Sequence, residues 1–133
     1  MEQYLLDTMT VLWMALRPDR LGKKAVAKLT VPDLDLDLTY SIVSLWEIGI
    51  KMASKGYDGF ELPEDWDFSL PKQLEEQGIT RLPVNPQNCR MIQDLPFHHR
   101  DPFDRMLITQ ALQGDFTVIG SDDRFDDYGV KRV

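Results

Sequence analysis

Four acidic residues stand where the sequence predicts the carboxyl ends of strands, or the helix starts that follow them: Asp7, Glu47, Asp104 and Asp122. The first follows the apolar run 4–6, and the last follows the strand-like run 116–120. The other two lie in the first turns of predicted helices. Ligands of parallel α/β sheets bind beyond the carboxyl ends of the strands. We therefore expect these four side chains, although distant along the chain, to converge at one edge of a sheet.

Carboxylates that converge in this way repel one another. Two unit charges 4 Å apart interact by about 4 kcal/mol at an effective dielectric constant of 20. A fold tolerates this repulsion when a cation lies among the acids, and Mg²⁺ suits such a place because it takes oxygen ligands and is commonly shared with substrate phosphates. Such an ion can polarise a phosphodiester and generate hydroxide from water. The pattern thus points to metal-dependent phosphodiester hydrolysis.

Glu47 also has an ordinary structural explanation. It could complete a capping box that begins at Ser44, or pair with Lys51 one helical turn later. Asp7 is the hardest of the four to explain in this way. An acidic side chain directly after a buried strand is costly unless it finds partners.

The other two acids have local explanations as well. Asp104 could complement the helix dipole near the helix start, while Asp101 caps the same helix. Asp122 could be a turn residue in the pair Asp122–Asp123. The set of four is therefore more specific than any one of its members.

Strand-like and helix-like segments alternate along the chain. The predicted strands are 4–6, 36–41, 80–84 and 116–120, with a last edge strand at 130–133. The first predicted helix is capped by Thr8 or Thr10 and stopped at Arg17–Pro18, and the others cover 21–31, 44–55, 68–77, 86–95 and 102–114. Alternation of this kind favours an α/β domain with a mostly parallel sheet.

The composition sets limits on the class of protein. Of 133 residues, 43% are hydrophobic and 28% charged, as in an ordinary globular domain. No long apolar segment or secretory signal is visible, so we expect a cytoplasmic protein. A single cysteine excludes an internal disulfide and a cysteine-based zinc site. The net charge of −7 is only a weak argument against nucleic acid as a partner, because carboxylates that hold metal are counted in it.

The residues around the four acids resemble those of a known family. The stretches concerned are Tyr4-Leu5-Leu6-Asp7-Thr8, Ser44-Leu45-Trp46-Glu47-Ile48, the run from His99 to Ile108, and Ser121-Asp122-Asp123-Arg124-Phe125. Together they resemble the PIN-domain ribonucleases, and within that family the VapC toxins of bacterial type II toxin–antitoxin pairs. The run from His99 to Ile108 is the most specific part. The resemblance extends from Tyr4 to the C-terminus.

The resemblance implies a fold and a catalytic quartet. The fold is one three-layer α/β/α PIN domain over residues 1–133, with a mostly parallel central sheet of four to five strands. The quartet is Asp7, Glu47, Asp104 and Asp122, which would hold Mg²⁺ or Mn²⁺ and direct water at an RNA phosphodiester. Glu47 would either bind the metal or orient the attacking water.

Thr8 and Ser121 stand beside members of the quartet and could bond to them or to a metal-bound water, and Asp101, assigned first as the N-cap, could also contact the metal or its water. By position, Lys51 could reach the same cleft and Arg105 could hold RNA phosphates, or Arg105 could be an ordinary solvated or ion-paired arginine. The resemblance also implies partners. The protein partner implied is a VapB-like antitoxin, because nothing in this chain resembles a DNA-binding helix pair or a neutralising tail. A homodimer is implied as well, with no role for a membrane.

Several features admit a second interpretation. Loop packing or a phosphate contact is the favoured interpretation of His98 and His99, since histidine usually binds softer metals than Mg²⁺. A basic run is expected to be a solvated helix face or a guide for RNA: Arg17, Arg20, Lys23, Lys24 and Lys28. The rival to a nuclease is a PIN-like module that binds RNA or protein without cutting. A phosphate-accepting receiver-like domain is a weaker rival, because these acids lie at helix starts as well as strand ends.

Overall fold

A sheet of four parallel strands forms the centre of the computed structural model, which describes residues 3–16, 37–57 and 59–133. The strands are β1 (Gln3–Leu6), β2 (Asp37–Ser41), β3 (Thr80–Leu82) and β4 (Thr117–Ile119), in the spatial order β3-β2-β1-β4. In register, Leu5 of β1 lies opposite Thr39 of β2 and Val118 of β4. All three strand pairs are parallel, so the carboxyl ends share one edge.

The C-terminal residues extend the sheet beyond β4. Val118 and Arg132 form a parallel bridge, and the Val118 N–H donates to the Lys131 carbonyl at 2.8 Å. The Val133 N–H donates in turn to the Val118 carbonyl, also at 2.8 Å. The predicted edge strand at 130–133 is thus a short bridged segment beside a four-stranded sheet.

Helices cover both faces of the sheet. They are α1 (Thr8–Leu16), α2 (Ile42–Met52), α3 (Trp66–Glu76), α4 (Pro86–Ile92), α5 (Pro102–Gly114) and a 3-10 helix (Asp123–Tyr128). Successive side chains of a strand point to opposite faces. Accordingly, Leu6 packs in a core cluster with α1 and α3 residues such as Val11 and Leu74, whereas Leu5 packs with Leu107 and Ile108 of α5. The α/β fold with layered helices is confirmed.

The start of α2 differs from the sequence prediction. Ser41, the last residue of β2, is the N-cap, and its side chain accepts the Val43 N–H at 3.1 Å. The helix therefore begins at Ile42, and the capping box predicted at Ser44 and Glu47 is wrong. The strand runs directly into the helix, so the hydroxyl at the strand end reaches the first free N–H groups. Glu47 consequently lies beyond the first turn of the helix.

The start of α1 is also capped differently. The Asp7 carboxylate accepts the Thr10 N–H at 2.8 Å, and the Asp7 carbonyl accepts the Val11 N–H at 2.9 Å. Asp7 therefore takes the capping position predicted for Thr8 or Thr10. By contrast, α5 begins as predicted, with Asp101 as N-cap and a proline in the first turn.

Some predictions concern residues outside the described ranges. They are the helix at 21–31 and the five basic residues of the basic run.

Helix α4 ends at Ile92, three residues before its predicted end at 95. Among the described helices, none combines the length and the apolar character needed to cross a bilayer.

Candidate functional site

The four predicted acids line one cavity of about 250 Å³ at the carboxyl edge of the sheet. The other residues that line this cavity are Thr8, Met9, Lys51, Asp101, Ser121 and Arg124. Of the four acids and the five residues expected to contact them or the RNA, eight therefore line the same cavity. Arg105 is the exception.

Asp7 is held rigidly at the junction of β1 and α1. It is 7% exposed, and its backbone N–H donates to the Ile119 carbonyl of β4 at 3.1 Å. Its carboxylate lies against the Cα of Gly120, where an added Cβ would overlap the carboxylate oxygen. Burial raises the pKa of Asp7, although the hydrogen bonds from Thr10 act in the opposite direction. Sequence reasoning missed Gly120, since only the approach of two strand ends makes a side chain impossible there.

Glu47 is fixed by contacts from two helices. Its Oε1 accepts the Thr8 hydroxyl at 2.7 Å, and its Oε2 lies 3.4 Å from the Lys51 ammonium. The Thr8 hydroxyl is also 3.0 Å from the Ser44 hydroxyl. Because a carboxylate only accepts, the Thr8 proton points to Glu47 and Ser44 can donate to Thr8. Of the two local explanations of Glu47, the capping box is therefore wrong and the Lys51 pair is confirmed, while the Thr8 contact spans 39 residues of sequence.

Asp104 and Asp122 are driven to different protonation states. Burial, followed by the charges of Asp101, Glu47, Asp122 and Asp7, raises the pKa of Asp104 to about 7. Asp122 is more exposed, and the Arg124 guanidinium donates to both of its oxygens, at 3.0 and 2.9 Å. These bonds from Arg124 lower the pKa of Asp122. Without a cation, one acid of the pair therefore tends to hold a proton near neutral pH, while the other is ionised.

His99 lies directly against two of the acids. Its Nε2 is 2.9 Å from Asp104 Oδ2 and 3.5 Å from Asp122 Oδ2, and its side chain is only 3% exposed. Its Nδ1 accepts the Asp101 N–H at 3.2 Å. Sequence reasoning favoured loop packing or a phosphate contact; a phosphate contact does not fit a ring buried this deeply. Its neighbour His98 is exposed and makes an edge contact with the Tyr128 ring.

Arg105 does not line the cavity, which corrects the expectation that it contacts the quartet or RNA there. Its guanidinium is buried and donates to the carbonyls of Pro96 at 2.7 Å and Leu95 at 3.0 Å. It also lies over the Phe97 ring, 4.0 Å from the centroid. A long cationic side chain on an inward face finds its acceptors in the adjoining loop. Arg105 thereby fixes residues 95–97, in the loop that leads to His99.

The donor set of the cavity fits a hard divalent cation. Its potential ligands are carboxylate oxygens, which Mg²⁺ and Mn²⁺ prefer. One oxygen each from Asp104 and Asp122, together with a ring nitrogen of His99, lie within 4.8 Å of one another. Burial and then the neighbouring carboxylates raise the pKa of Asp104 to about 7, and a cation bound among these oxygens would favour its ionised form.

Comparison with known families identifies the class of protein. The family model described as PIN domain matches residues 4–131. The chain therefore belongs to the PIN domain family, and the resemblance found in its motifs is confirmed. A comparison with curated protein sequences found no match.

The same fold occurs in several solved structures of VapBC proteins. VapBC2 from Rickettsia felis bound to a promoter DNA fragment matches with TM-score 0.68 and 9% identity, over 98% of this chain and 97% of the other. DNA-bound VapBC from Salmonella typhimurium matches with TM-score 0.64 and 15% identity, over 100% of this chain and 98% of the other. VapBC-1 from nontypeable Haemophilus influenzae matches with TM-score 0.64 and 17% identity, over 98% of this chain and 96% of the other. At these identities the likeness supports the fold.

Proposed function

We propose that this protein is a metal-dependent endoribonuclease that serves as the toxin of a type II toxin–antitoxin pair. One observation carries the proposal: Asp7, Glu47, Asp104 and Asp122 converge on one cavity at the carboxyl edge of a PIN domain. This is the place where parallel α/β sheets bind their ligands. Four acids at such a place are costly in the absence of a cation and useful in its presence.

Each member of the quartet has a role that follows from its surroundings. Asp7, Asp104 and Asp122 would hold Mg²⁺ or Mn²⁺. When bound, the ion supplies Lewis-acid polarisation of the phosphodiester and a lower pKa for the attacking water. Asp7 is suited to permanent ligation because its carboxylate is fixed by Thr10 and Gly120. Asp104 must give up its proton to bind a cation, so binding is expected to strengthen as pH rises through about 7.

Glu47 is suited to orient the attacking water or to complete the ligand set. The Thr8 hydroxyl holds one of its oxygens, and Lys51 lies by the other. Among the described residues, Lys51 and Arg124 line the cavity with a cationic group. Their side chains are 48% and 60% exposed, so they can approach phosphates of an RNA strand. Hydrolysis in this arrangement would leave a 5′-phosphate and a 3′-hydroxyl, as the family resemblance implies.

The proposal includes two protein partners. The VapBC neighbours are complexes of a toxin with its antitoxin, which supports a VapB-like antitoxin for this chain. For the homodimer, the described surface offers an apolar groove of about 470 Å³ between α2, α4 and α5. Trp46 borders this groove and is 65% exposed, so a second copy packed against the groove would cover it. The toxin and its antitoxin would act in the cytoplasm.

The test is cleavage of RNA by the purified chain, freed of antitoxin, with Mn²⁺ or Mg²⁺ and in EDTA. Since toxins of this kind can be selective, the substrate is total cellular RNA, and cut sites are mapped by sequencing of 5′-phosphate ends. We expect site-specific cuts that need the cation and disappear in Asp7→Asn. Asp94→Asn is the matched control, because Asp94 is exposed and does not line the cavity.

Two results would contradict the proposal. Cleavage by Asp7→Asn at the wild-type rate would remove the quartet from the reaction. RNA binding without cleavage by a protein that binds no cation would favour the rival, a PIN-like binding module.

A further inference from the structure

The imidazole of His99 is held in one orientation by its surroundings. The His99 backbone N–H donates to the Tyr128 hydroxyl at 2.9 Å, and that hydroxyl donates to the Pro96 carbonyl at 2.7 Å. On the other side of the ring, the Asp101 N–H donates to Nδ1 at 3.2 Å. Asp101 cannot shift easily, because its side chain caps α5. The ring is therefore fixed before any cation arrives.

The hydrogen bond from Asp101 decides which ring nitrogen carries the proton. An N–H group can donate only to a lone pair, so Nδ1 is unprotonated. A neutral imidazole has one proton, and here it must lie on Nε2. Nε2 is therefore a hydrogen-bond donor in the structure.

The Nε2–H group is buried between two carboxylates. Its distances to Oδ2 of Asp104 and of Asp122 are 2.9 and 3.5 Å, yet it makes no hydrogen bond of good geometry to either oxygen. A buried donor without a fixed acceptor is rare in proteins. Arg124 already donates to both oxygens of Asp122, so the nearest acceptor for this N–H group is Oδ2 of Asp104, at 2.9 Å. The two oxygens of a carboxylate point in different directions, so a bond from Nε2–H to Oδ2 leaves the other oxygen of Asp104 facing away from His99.

We propose that His99 is a positioning residue of the metal site: its Nε2–H holds Asp104 so that the other oxygen of this carboxylate faces the cation, and His99 is not itself a ligand. The inference rests on the proposed function, because it presupposes a cation among these acids. Direct ligation by Nε2 would need a lone pair there. The proton would move to Nδ1, where it would oppose the Asp101 N–H and break the hydrogen bond that fixes the ring.

The first test is spectroscopic and needs no substitution. Pulsed EPR of the antitoxin-free wild-type chain loaded with Mn²⁺ detects nitrogen bound to the ion. We expect no coupling typical of a ligated imidazole. A strong coupling that changes when histidine is labelled with ¹⁵N would overturn the inference.

The second test compares variants by Mn²⁺ affinity, measured from the EPR signal of the free ion. His99→Leu removes the donor, and we expect Kd to rise by about 10- to 100-fold, as for other residues that orient metal ligands. His99→Gln restores an N–H donor and should recover most of the affinity. His98→Leu is the matched control, because His98 is exposed and does not line the cavity. Circular dichroism checks that each variant is folded.

The outcomes separate the inference from the proposed function. Equal Mn²⁺ affinity in the wild type and in folded His99→Leu would overturn the positioning role alone. If His99→Leu fails to fold, the Mn²⁺ affinity of His99→Gln is compared with that of the wild type instead. A 100-fold loss of Mn²⁺ affinity in folded His99→Gln would overturn the role of His99 as a hydrogen-bond donor. Failure of the wild-type chain to bind Mn²⁺ would overturn both proposals.

Discussion

Replacing Asp104 by asparagine should stabilise the protein without metal and remove most of the stabilisation that metal gives to the wild type. The pKa of Asp104 is raised from 3.8 to about 7, chiefly by burial and then by neighbouring carboxylates. In the unfolded chain this group ionises near 3.8, so the folded state holds the extra proton between these two values. Stability is therefore lost as pH rises from about 4 through about 7, and the loss is complete above it.

The magnitude follows from the shift. Each pKa unit corresponds to about 1.4 kcal/mol, so a shift of about three units corresponds to about 4 kcal/mol. The Asp104 side chain is 19% exposed, and solvent screening reduces the effect to about 2–4 kcal/mol. For a chain of this length, 1 kcal/mol moves Tm by about 4 °C. In EDTA at pH 8, Asp104→Asn should therefore melt about 8–16 °C above the wild type.

A cation narrows the difference in stability between the two proteins. At 100 times Kd, a ligand specific for the folded state adds about 2.7 kcal/mol. The wild type should gain this in Mn²⁺, and the variant should lose most of it, so the two melting curves approach or cross. The assay is thermal unfolding by circular dichroism at pH 5 and pH 8, in EDTA and in rising Mn²⁺. The same substitution at exposed Asp94 should change stability by less than about 0.5 kcal/mol.

Two results would refute this reasoning. A variant less stable than the wild type in EDTA at pH 8 would mean that Asp104 is not held as an uncompensated charge. A wild type whose Tm does not respond to Mn²⁺ would mean that no cation enters the cluster.

Three further substitutions test how the site is held. Gly120→Ala should destabilise the fold by about 1–3 kcal/mol and weaken Mn²⁺ binding, because the added methyl group displaces the Asp7 carboxylate; a Tm and an affinity equal to wild type would contradict this. Thr8→Val should cost about 1–3 kcal/mol in urea unfolding and slow RNA cleavage, since a buried oxygen of Glu47 loses its donor; unchanged kinetics would remove Glu47 orientation from the mechanism. Arg105→Met should cost at least about 2 kcal/mol by urea unfolding, since its bonds to loop carbonyls are lost, and a neutral effect would mean that the loop is held by its other contacts.

The sequence alone was enough for features that depend on local rules. The Asp101-Pro102 start of α5 was predicted because a capping side chain and a proline at the first helical position act within three residues. Strand β1 was predicted from a short apolar run, since a strand buried on both faces is continuously hydrophobic, and β2 was predicted from the alternation of residues 36–41. The convergence of the four acids followed from the topology rule for parallel sheets, and the motifs around them indicated the family.

Other features depended on contacts between distant parts of the chain. The local capping signal placed the start of α2 near Ser44, but Ser41 at the end of β2 captures the first N–H groups. This leaves Ser44 and Glu47 free to meet Thr8, which is 36 and 39 residues away. No local propensity reports such a contact, because it exists only once β1 and β2 are paired.

Contacts that form only in the tertiary structure also decide the surroundings of two basic side chains in the run from His99 to Ile108. His99 and Arg105 both stand beside the acids in sequence, yet the first is buried against Asp104 and the second points to loop carbonyls. Gly120 is required by the approach of Asp7, more than 100 residues earlier in the chain. The residue types of the candidate site were thus readable from the sequence, whereas burial, tautomer and protonation depend on which groups the tertiary structure packs around each side chain, since these set its solvation and its hydrogen-bond partners.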